Sequence, residues 1–356
     1  MKWPADRITQ TSPKSFGMYE KALGYGGAHE LIHLELGSPC HDTPRHIKEA
    51  VVEALRQGRV HYGDIRGEPA FRTAIAAKLA RFNSIPAKPD DVLVTNGLTH
   101  ASYLAFMAAL DPGDEVILLE PYYPQHINKI ELAGGKPVFA PLNRHSNFKI
   151  ERGSIEPHLT RQTRMLVLVN PSNPTGRVYS RTELEIVADL AIRHDLLVVT
   201  DEVYEQVIFG DRHHISIASL PGMAERTISL FAFTKAYAMD GWRLGYLAAP
   251  SHMIAAMLKI AMNDVTHVNT FIQYGGLAAL TAKPEVVAEM LEDDRTKRDL
   301  VVQRMAAMPG VLCTEPEGTI YAFPNIEGTG RSSTEIANLL LEKAGVVVED
   351  GAFYGA

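Results

Sequence analysis

Five polar signals in the 356-residue chain stand where chemistry could be done. Asn173 follows the apolar run "VLVNPS", Asp201 follows "LLVVT", Tyr204 lies three residues further on, and Lys235 comes just after "SLFAF"; "TNGLTHAS" follows "DVLVT" and opens a helix. In an open α/β sheet, ligands bind beyond the carboxyl ends of the strands, where these groups fall. As a set they suit a phosphorylated pyridine ring bearing an aldehyde. Such a ring accepts electrons only while its nitrogen stays protonated, which a buried carboxylate such as Asp201 ensures. Asn173 and Tyr204 can donate hydrogen bonds to its phenolic oxygen. The backbone N–H groups of Gly97, Leu98 and Thr99 at a helix start, with Arg243, can hold the phosphate. Lys235 supplies the amine that condenses with the aldehyde.

Each signal alone also has a plainer reading. A lysine after a strand is usually a solvated surface residue. "NPSNPTG" reads equally as a Pro and Asn turn, and "TNGLTH" as a helix start with no ligand. An aspartate at a strand end is more often a cap, and a lone tyrosine is usually packing. What separates the functional reading is the joint occurrence, in chain order, at successive strand ends.

The elements that must position these groups follow from the hydrophobic pattern. From about residue 90, short β-branched runs alternate with helix-length stretches, the pattern of a mainly parallel sheet covered by helices on both faces. The runs are "DVLVT", "EVILLEP", "PVFAP", "MLVLVNP", "LLVVTDE", "TISLFAF" and "LGYLAAP", which makes a seven-stranded sheet. Several are apolar throughout, as expected of strands buried on both faces. Between Arg181 and His194, Leu184, Val187, Leu190 and Ala191 share a stripe, with Ser180 and Glu183 placed for a capping box. After Pro250 the pattern changes: helix is expected from Ser251 to about Thr281 and from Pro284 to about Met308, then a strand at "TIYAF", a helix from Ser333 to Ala344 and a strand at "GVVVE". The expected division is a large domain over residues 46–250 and a smaller α+β domain formed by residues 1–45 and 251–356.

Bulk properties restrict the function classes. At about 150 residues per domain, 356 residues suggest two domains. No stretch approaches the roughly 18 consecutive apolar residues of a membrane span. A net charge of −7 without a basic run argues against a nucleic-acid surface. The first residues, "MKWPADRITQTSPKSF", lack the apolar core of a signal peptide, and only Cys40 and Cys313 are present, so a reducing cytoplasm and structural thiols are expected. No metal site is expected.

Taken with "LELGSPCHDTPRHIKEAV", "HYGDIRGEPAFR", "EPYYP", "TDEVYE", "TKAYAMDGWRLGY" and "GVVVEDGAF", these motifs cover essentially the whole chain. It resembles the fold-type I pyridoxal-phosphate enzymes, and among them the class I and II aminotransferases. The resemblance implies pyridoxal 5'-phosphate as cofactor, Lys235 as its Schiff-base lysine and proton shuttle, and Asp201 as partner of the ring nitrogen. It implies Asn173 and Tyr204 on the ring oxygen, Tyr123 rather than Tyr122 stacked on the ring face, and Gly97, Leu98, Thr99 and Arg243 around the phosphate. It further implies a homodimer in which Tyr62 reaches the phosphate of the neighbouring subunit, with Gly37 and Asn173 beside the substrate carboxylate. His126 and His267 fall near the same region and are expected to be structural rather than substrate-reading.

Two departures from the family pattern stand out. Ala232 occupies the position, three before the lysine, where the family usually has a phosphate-binding serine; Thr234 is the expected replacement. The family also carries, after the equivalent of "GVVVEDGAFYGA", an arginine that grips the substrate α-carboxylate, so either the chain continues past Ala356, which is the expectation, or carboxylates are recognised differently. The implied activity is ping-pong transfer of an amino group between an L-amino acid and a 2-oxo acid. A β-eliminating lyase or a synthase on the same scaffold is the alternative, since the pocket decides which bond at Cα breaks. A non-catalytic sensor is the more distant one; such proteins carry a DNA-binding domain, and the 36 residues before Gly37 are expected to leave no room for it.

Overall fold

A computed structural model describes residues 3–12, 17–283 and 285–355. Its strands are β1 (Ile32–His33), β2 (Val92–Thr95), β3 (Glu115–Glu120), β4 (Lys136–Pro141), β5 (Thr163–Val169), β6 (Leu197–Asp201), β7 (Thr227–Ala232), β8 (Gly245–Ala248) and β9 (Val346–Val347). Strands β2 to β8 form one sheet in the order β2-β8-β7-β6-β5-β3-β4. All pairs are parallel except those of β8, which runs antiparallel to both β2 and β7. The seven apolar runs thus become the seven strands of a mainly parallel sheet.

The helices that cover the sheet or flank it are α1 (Arg45–Arg56), α2 (Pro69–Lys78), α3 (Gly97–Ala109), α4 (Gln125–Leu132), α5 (Arg181–Arg193), α6 (Ser251–Asp264), α7 (Thr270–Thr281), α8 (Glu285–Ala306) and α9 (Ser333–Ala344). On one face Leu104, Phe106, Ile127, Ile130, Ile254 and Met257 of α3, α4 and α6 pack on Val116, Val167 and Val199. On the other, Leu184, Val187 and Leu190 of α5 pack on Ile117, Leu166 and Val198. Because each strand offers alternate residues to opposite faces and both are covered, every position must be apolar, which is why the runs do not alternate in polarity. Ser180 and Glu183 close the capping box of α5: each backbone N–H is matched by the other's side-chain oxygen. None of the described helices is long and apolar enough to cross a membrane.

The C-terminal half departs from expectation twice. The helix expected over Ser251–Thr281 is broken into α6 and α7 at "VTHVN", where β-branched residues cluster and Thr266 takes a left-handed φ of 63°. The strand expected at "TIYAF" does not form. Gly318 makes an isolated bridge with Ile208, and Thr319 turns through a φ of 69°. By contrast α9 spans the expected residues, and "GVVVE" supplies β9, which pairs in parallel with β1. Met18 and Ala22 of the N-terminal segment pack with Ala337, Leu341 and Val347.

At the start of β8, Gly245 lies opposite Thr95 and Ala232. A Cβ there would lie 2.7 Å from the Phe231 carbonyl oxygen, 3.0 Å from the Gly97 carbonyl carbon and 3.1 Å from the Leu98 nitrogen. Only glycine lets the first turn of α3 rest on the sheet at this point. Gly245→Ala is therefore expected to destabilise the fold by roughly 1–3 kcal/mol, read as a lower thermal unfolding midpoint.

Candidate active site

A cavity of about 380 Å³ opens at the carboxyl ends of β5, β6 and β7. Gly37, Leu98, Thr99, Tyr123, Asn173, Asp201, Tyr204, Lys235 and Arg243 all line it, so the structure brings together nearly every residue that the sequence singled out. Gly97 sits just behind, against the Arg243 guanidinium. Thr234 lines the wall, whereas Ala232 ends β7 and does not. Tyr62 is not in its own chain's cavity. It is 87% exposed, its ring edge-on to His267 at 5.3 Å, and His267 is equally absent from the lining.

Asp201 is the last residue of β6 and only 3% exposed. Its Oδ1 accepts from the Val203 N–H at 3.2 Å. Its Oδ2 lies 3.4 Å from Nε2 of fully buried His126. Burial holds the His126 pKa below its ordinary value despite the carboxylate beside it, so the imidazole is neutral. One turn later on α4, Lys129 donates to Ser102 Oγ at 2.8 Å, and burial lowers its pKa to about 8. Tyr123 stands edge-on to His126, at 5.2 Å between ring centroids. Tyr122 instead stacks on Phe139 at 4.9 Å and contributes to the core.

Lys235 lies on the connection from β7 to β8, its Nζ donating to the Gly37 carbonyl and lying 5.6 Å over the Tyr204 ring. Desolvation dominates its titration. It lowers the pKa from 10.5 to about 8, helped by Arg243 and opposed by Asp240 and Asp201. The Tyr204 hydroxyl donates to that of Tyr321 at 2.7 Å, and burial raises the pKa values of both phenols. Asn173 Oδ1 is buried with no hydrogen-bond partner. An orphaned acceptor of this kind is costly unless a ligand satisfies it.

At the opposite side of the cavity, the first turn of α3 presents its backbone N–H groups beside Arg243. Gly97 has a φ of 77°, and a Cβ on it would lie 2.7 Å from an Arg243 terminal nitrogen. Arg243 itself takes a left-handed φ of 52°, with Nη1 donating to the Asp240 carbonyl at 2.8 Å. An arginine held in a sparsely populated backbone region marks a position that its surroundings fix. The cavity thus has an end formed by a helix N-terminus and an arginine, a buried carboxyl group, a set of phenol and amide groups, and a desolvated amine.

Sequence reasoning missed Tyr321, Glu35, Glu349, Asp240 and Lys129. Tyr321 was hidden by the strand expected at "TIYAF", since in a strand it would not turn toward Tyr204. The position of His126 against Asp201 was signalled only by its spacing, one helical turn after Tyr123. Glu35 and Glu349 lie within the motifs "LELGSPC" and "GVVVEDGAF", but nothing in those motifs placed them in one cavity.

The family model for aminotransferase class I and II matches residues 29–356. An aspartate aminotransferase of Pyrococcus abyssi is 41% identical over 355 residues, covering 99% of this chain and 90% of that protein. An aromatic-amino-acid aminotransferase of Thermococcus litoralis is 37% identical over 355 residues, with 99% and 90% coverage. Among solved structures, the aspartate aminotransferase of Thermus thermophilus with maleate superposes with a TM-score of 0.93 at 34% identity, covering 99% of this chain and 93% of that one.

The lowered pKa has a direct consequence for Lys235. Burial disfavours the ammonium, so the free amine prevails above pH 8, about 2.5 units below an exposed lysine. In the cofactor-free protein, acylation of Lys235 followed by mass spectrometry is expected to reach half its maximal rate near pH 8. A profile matching that of the surface lysines would refute the desolvated site.

Proposed function

Because the chain belongs to the aminotransferase class I and II family, and is an enzyme transferring amino groups between an L-amino acid and a 2-oxo acid, we propose that its cavity holds pyridoxal 5'-phosphate. The observation that carries this reading is the desolvated Lys235 amine in one cavity with buried Asp201 and the α3–Arg243 anion site. The fit extends to buried Asn173, whose amide N–H could donate to the ring oxygen, and to the phenols of Tyr204 and Tyr321. Asp201 would take the ring nitrogen, Asn173 and Tyr204 the ring oxygen, and Tyr123 the ring face. Gly97, Leu98, Thr99, Thr234 and Arg243 would take the phosphate, with Thr234 standing in for the serine that Ala232 replaces. When bound, the cofactor supplies an electron sink for the bonds at the substrate Cα.

The chain's own groups do the rest. Asp201, buried and flanked by neutral His126, would stand against the protonated ring nitrogen. Lys235 Nζ is neutral above about pH 8 and so can take the proton from the substrate Cα. Gly37 leaves room for the Tyr321 hydroxyl, which a Cβ would meet at 2.1 Å, and offers its backbone beside the substrate carboxylate. We assign aspartate and aromatic amino acids as donors, following the relatives' names. The aromatic wall of Tyr321, Phe353 and Tyr354 supports the second class.

We further propose a homodimer with shared sites. Tyr62 is exposed, and a cleft of about 620 Å³ lined by Asn96, Thr99, His100, Lys129 and Arg243 continues outward from the phosphate end. A partner's Tyr62 would fill that cleft.

Lys235→Ala is expected to abolish both the absorbance of the lysine-bound cofactor and amino transfer. Asp201→Ala is expected to lower kcat/KM by about 10²–10³-fold while leaving the lysine in place. Both are measured with aspartate and phenylalanine as donors and 2-oxoglutarate as acceptor; full activity of Lys235→Ala would overturn the assignment.

A further inference from the structure

Outside the cavity, one cluster brings together the donor types that bind transition metals. We propose that Cys40, His41, Asp293 and Asp294 form a site for a single divalent ion of the zinc class, fastening the segment after Gly37 to α8. Their ligand atoms all lie within 4.8 Å of one another. His41 Nε2 is 3.2 Å from Asp294 Oδ1 and 3.6 Å from Asp293 Oδ2. Metal–ligand bonds of about 2.0–2.3 Å place tetrahedral ligand atoms roughly 3.3–3.8 Å apart. Two of the six ligand–ligand spacings therefore already stand near their final values, and side-chain rotation can supply the remainder.

The cluster already holds a cation. Lys297, one turn after Asp293 on α8, places its ammonium 2.7 Å from Cys40 Sγ and 2.5 Å from Asp293 Oδ2. Lys297 is half-exposed, so its long stem can swing the ammonium into water and leave the position to a metal. The second grouping of this kind among the described residues, Glu202, Glu205 and His214, behaves differently. There the competing ammonium is that of Lys78, which is buried on Glu205 and Asn83 and has no route to solvent.

Donor chemistry selects the ion. A thiolate and an imidazole disfavour magnesium and calcium, which want oxygen, and two carboxylates complete a four-ligand set suited to zinc. On binding, the Cys40 thiol gives its proton to solvent and Lys297 departs still protonated. Cys40, read from the sequence as a structural thiol, is free and exposed, available for this role. The tether would matter because Glu35, Leu36, Gly37 and Ser38, just before Cys40, form one wall of the cavity.

The full chain carrying its cofactor is stripped with a chelator and titrated with Zn²⁺ alone by calorimetry, with bound metal counted by mass spectrometry. One ion per chain is expected. Cys40→Ser and Asp294→Asn each weaken binding by more than about tenfold, since even residues behind metal ligands are worth 10–100-fold. Lys297→Met tightens binding by removing the competing ammonium. Co²⁺ in place of Zn²⁺ shows a thiolate charge-transfer band that Cys40→Ser abolishes. Retained amino transfer by each variant shows that it is folded. The proposal fails if neither the parent chain nor Lys297→Met binds one Zn²⁺, or if Cys40→Ser and His41→Ala leave binding unchanged.

Discussion

A carboxylate buried at the end of a parallel strand sets the terms for everything around it. Asp201 is almost wholly withdrawn from water, and an isolated ion in such a place would be strongly destabilising. Its neighbours offset that cost in graded ways: a backbone N–H from Val203, the neutral ring of His126, and the more distant amines of Lys129 and Lys235. None is a close ion pair. The carboxyl group therefore keeps capacity for a stronger cationic partner.

The same burial tunes the amine. Removing solvent from Lys235 disfavours its ammonium, while Asp240 and Asp201 limit how far that goes. Amine and carboxyl groups share one low-dielectric space, so a change in solvent access would move the Lys235 titration. The pair of phenols, Tyr204 and Tyr321, extends this dry region toward the segment after Gly318.

Most of the large sheet was legible because its logic is local. Strands covered on both faces must be apolar throughout, and "MLVLV" or "LLVVT" states this without reference to the rest of the chain. The residues at their ends could be placed for the same reason: a strand's carboxyl end fixes where Asp201, Asn173 and Lys235 emerge. The C-terminal segment resisted because tertiary contacts there override pattern. "TIYAF" has the β-branched and aromatic residues of a strand, but Thr319 is held by the Val207 carbonyl and turns away. The long apolar stretch after Pro250 breaks where β-branched residues gather, a weak signal that propensity alone does not decide. Glu35, Glu349 and Tyr321 come from distant segments, and their convergence is a property of packing rather than of any motif.

The reversed strand has a consequence for how the protein is made. Because β8 lies between β2 and β7, Thr95 must wait for Gly245, 150 residues later, before its edge is paired. Until then the first turn of α3 has no sheet floor beneath it, and neither Lys235 nor Arg243 has a fixed place. During synthesis the parallel strands β3 to β7 can assemble as they emerge, while the cavity must wait for the chain to pass residue 248. Contacts so distant in sequence slow folding, because loop closure must precede any gain from them. Acquiring function is therefore a late event in the folding of this chain.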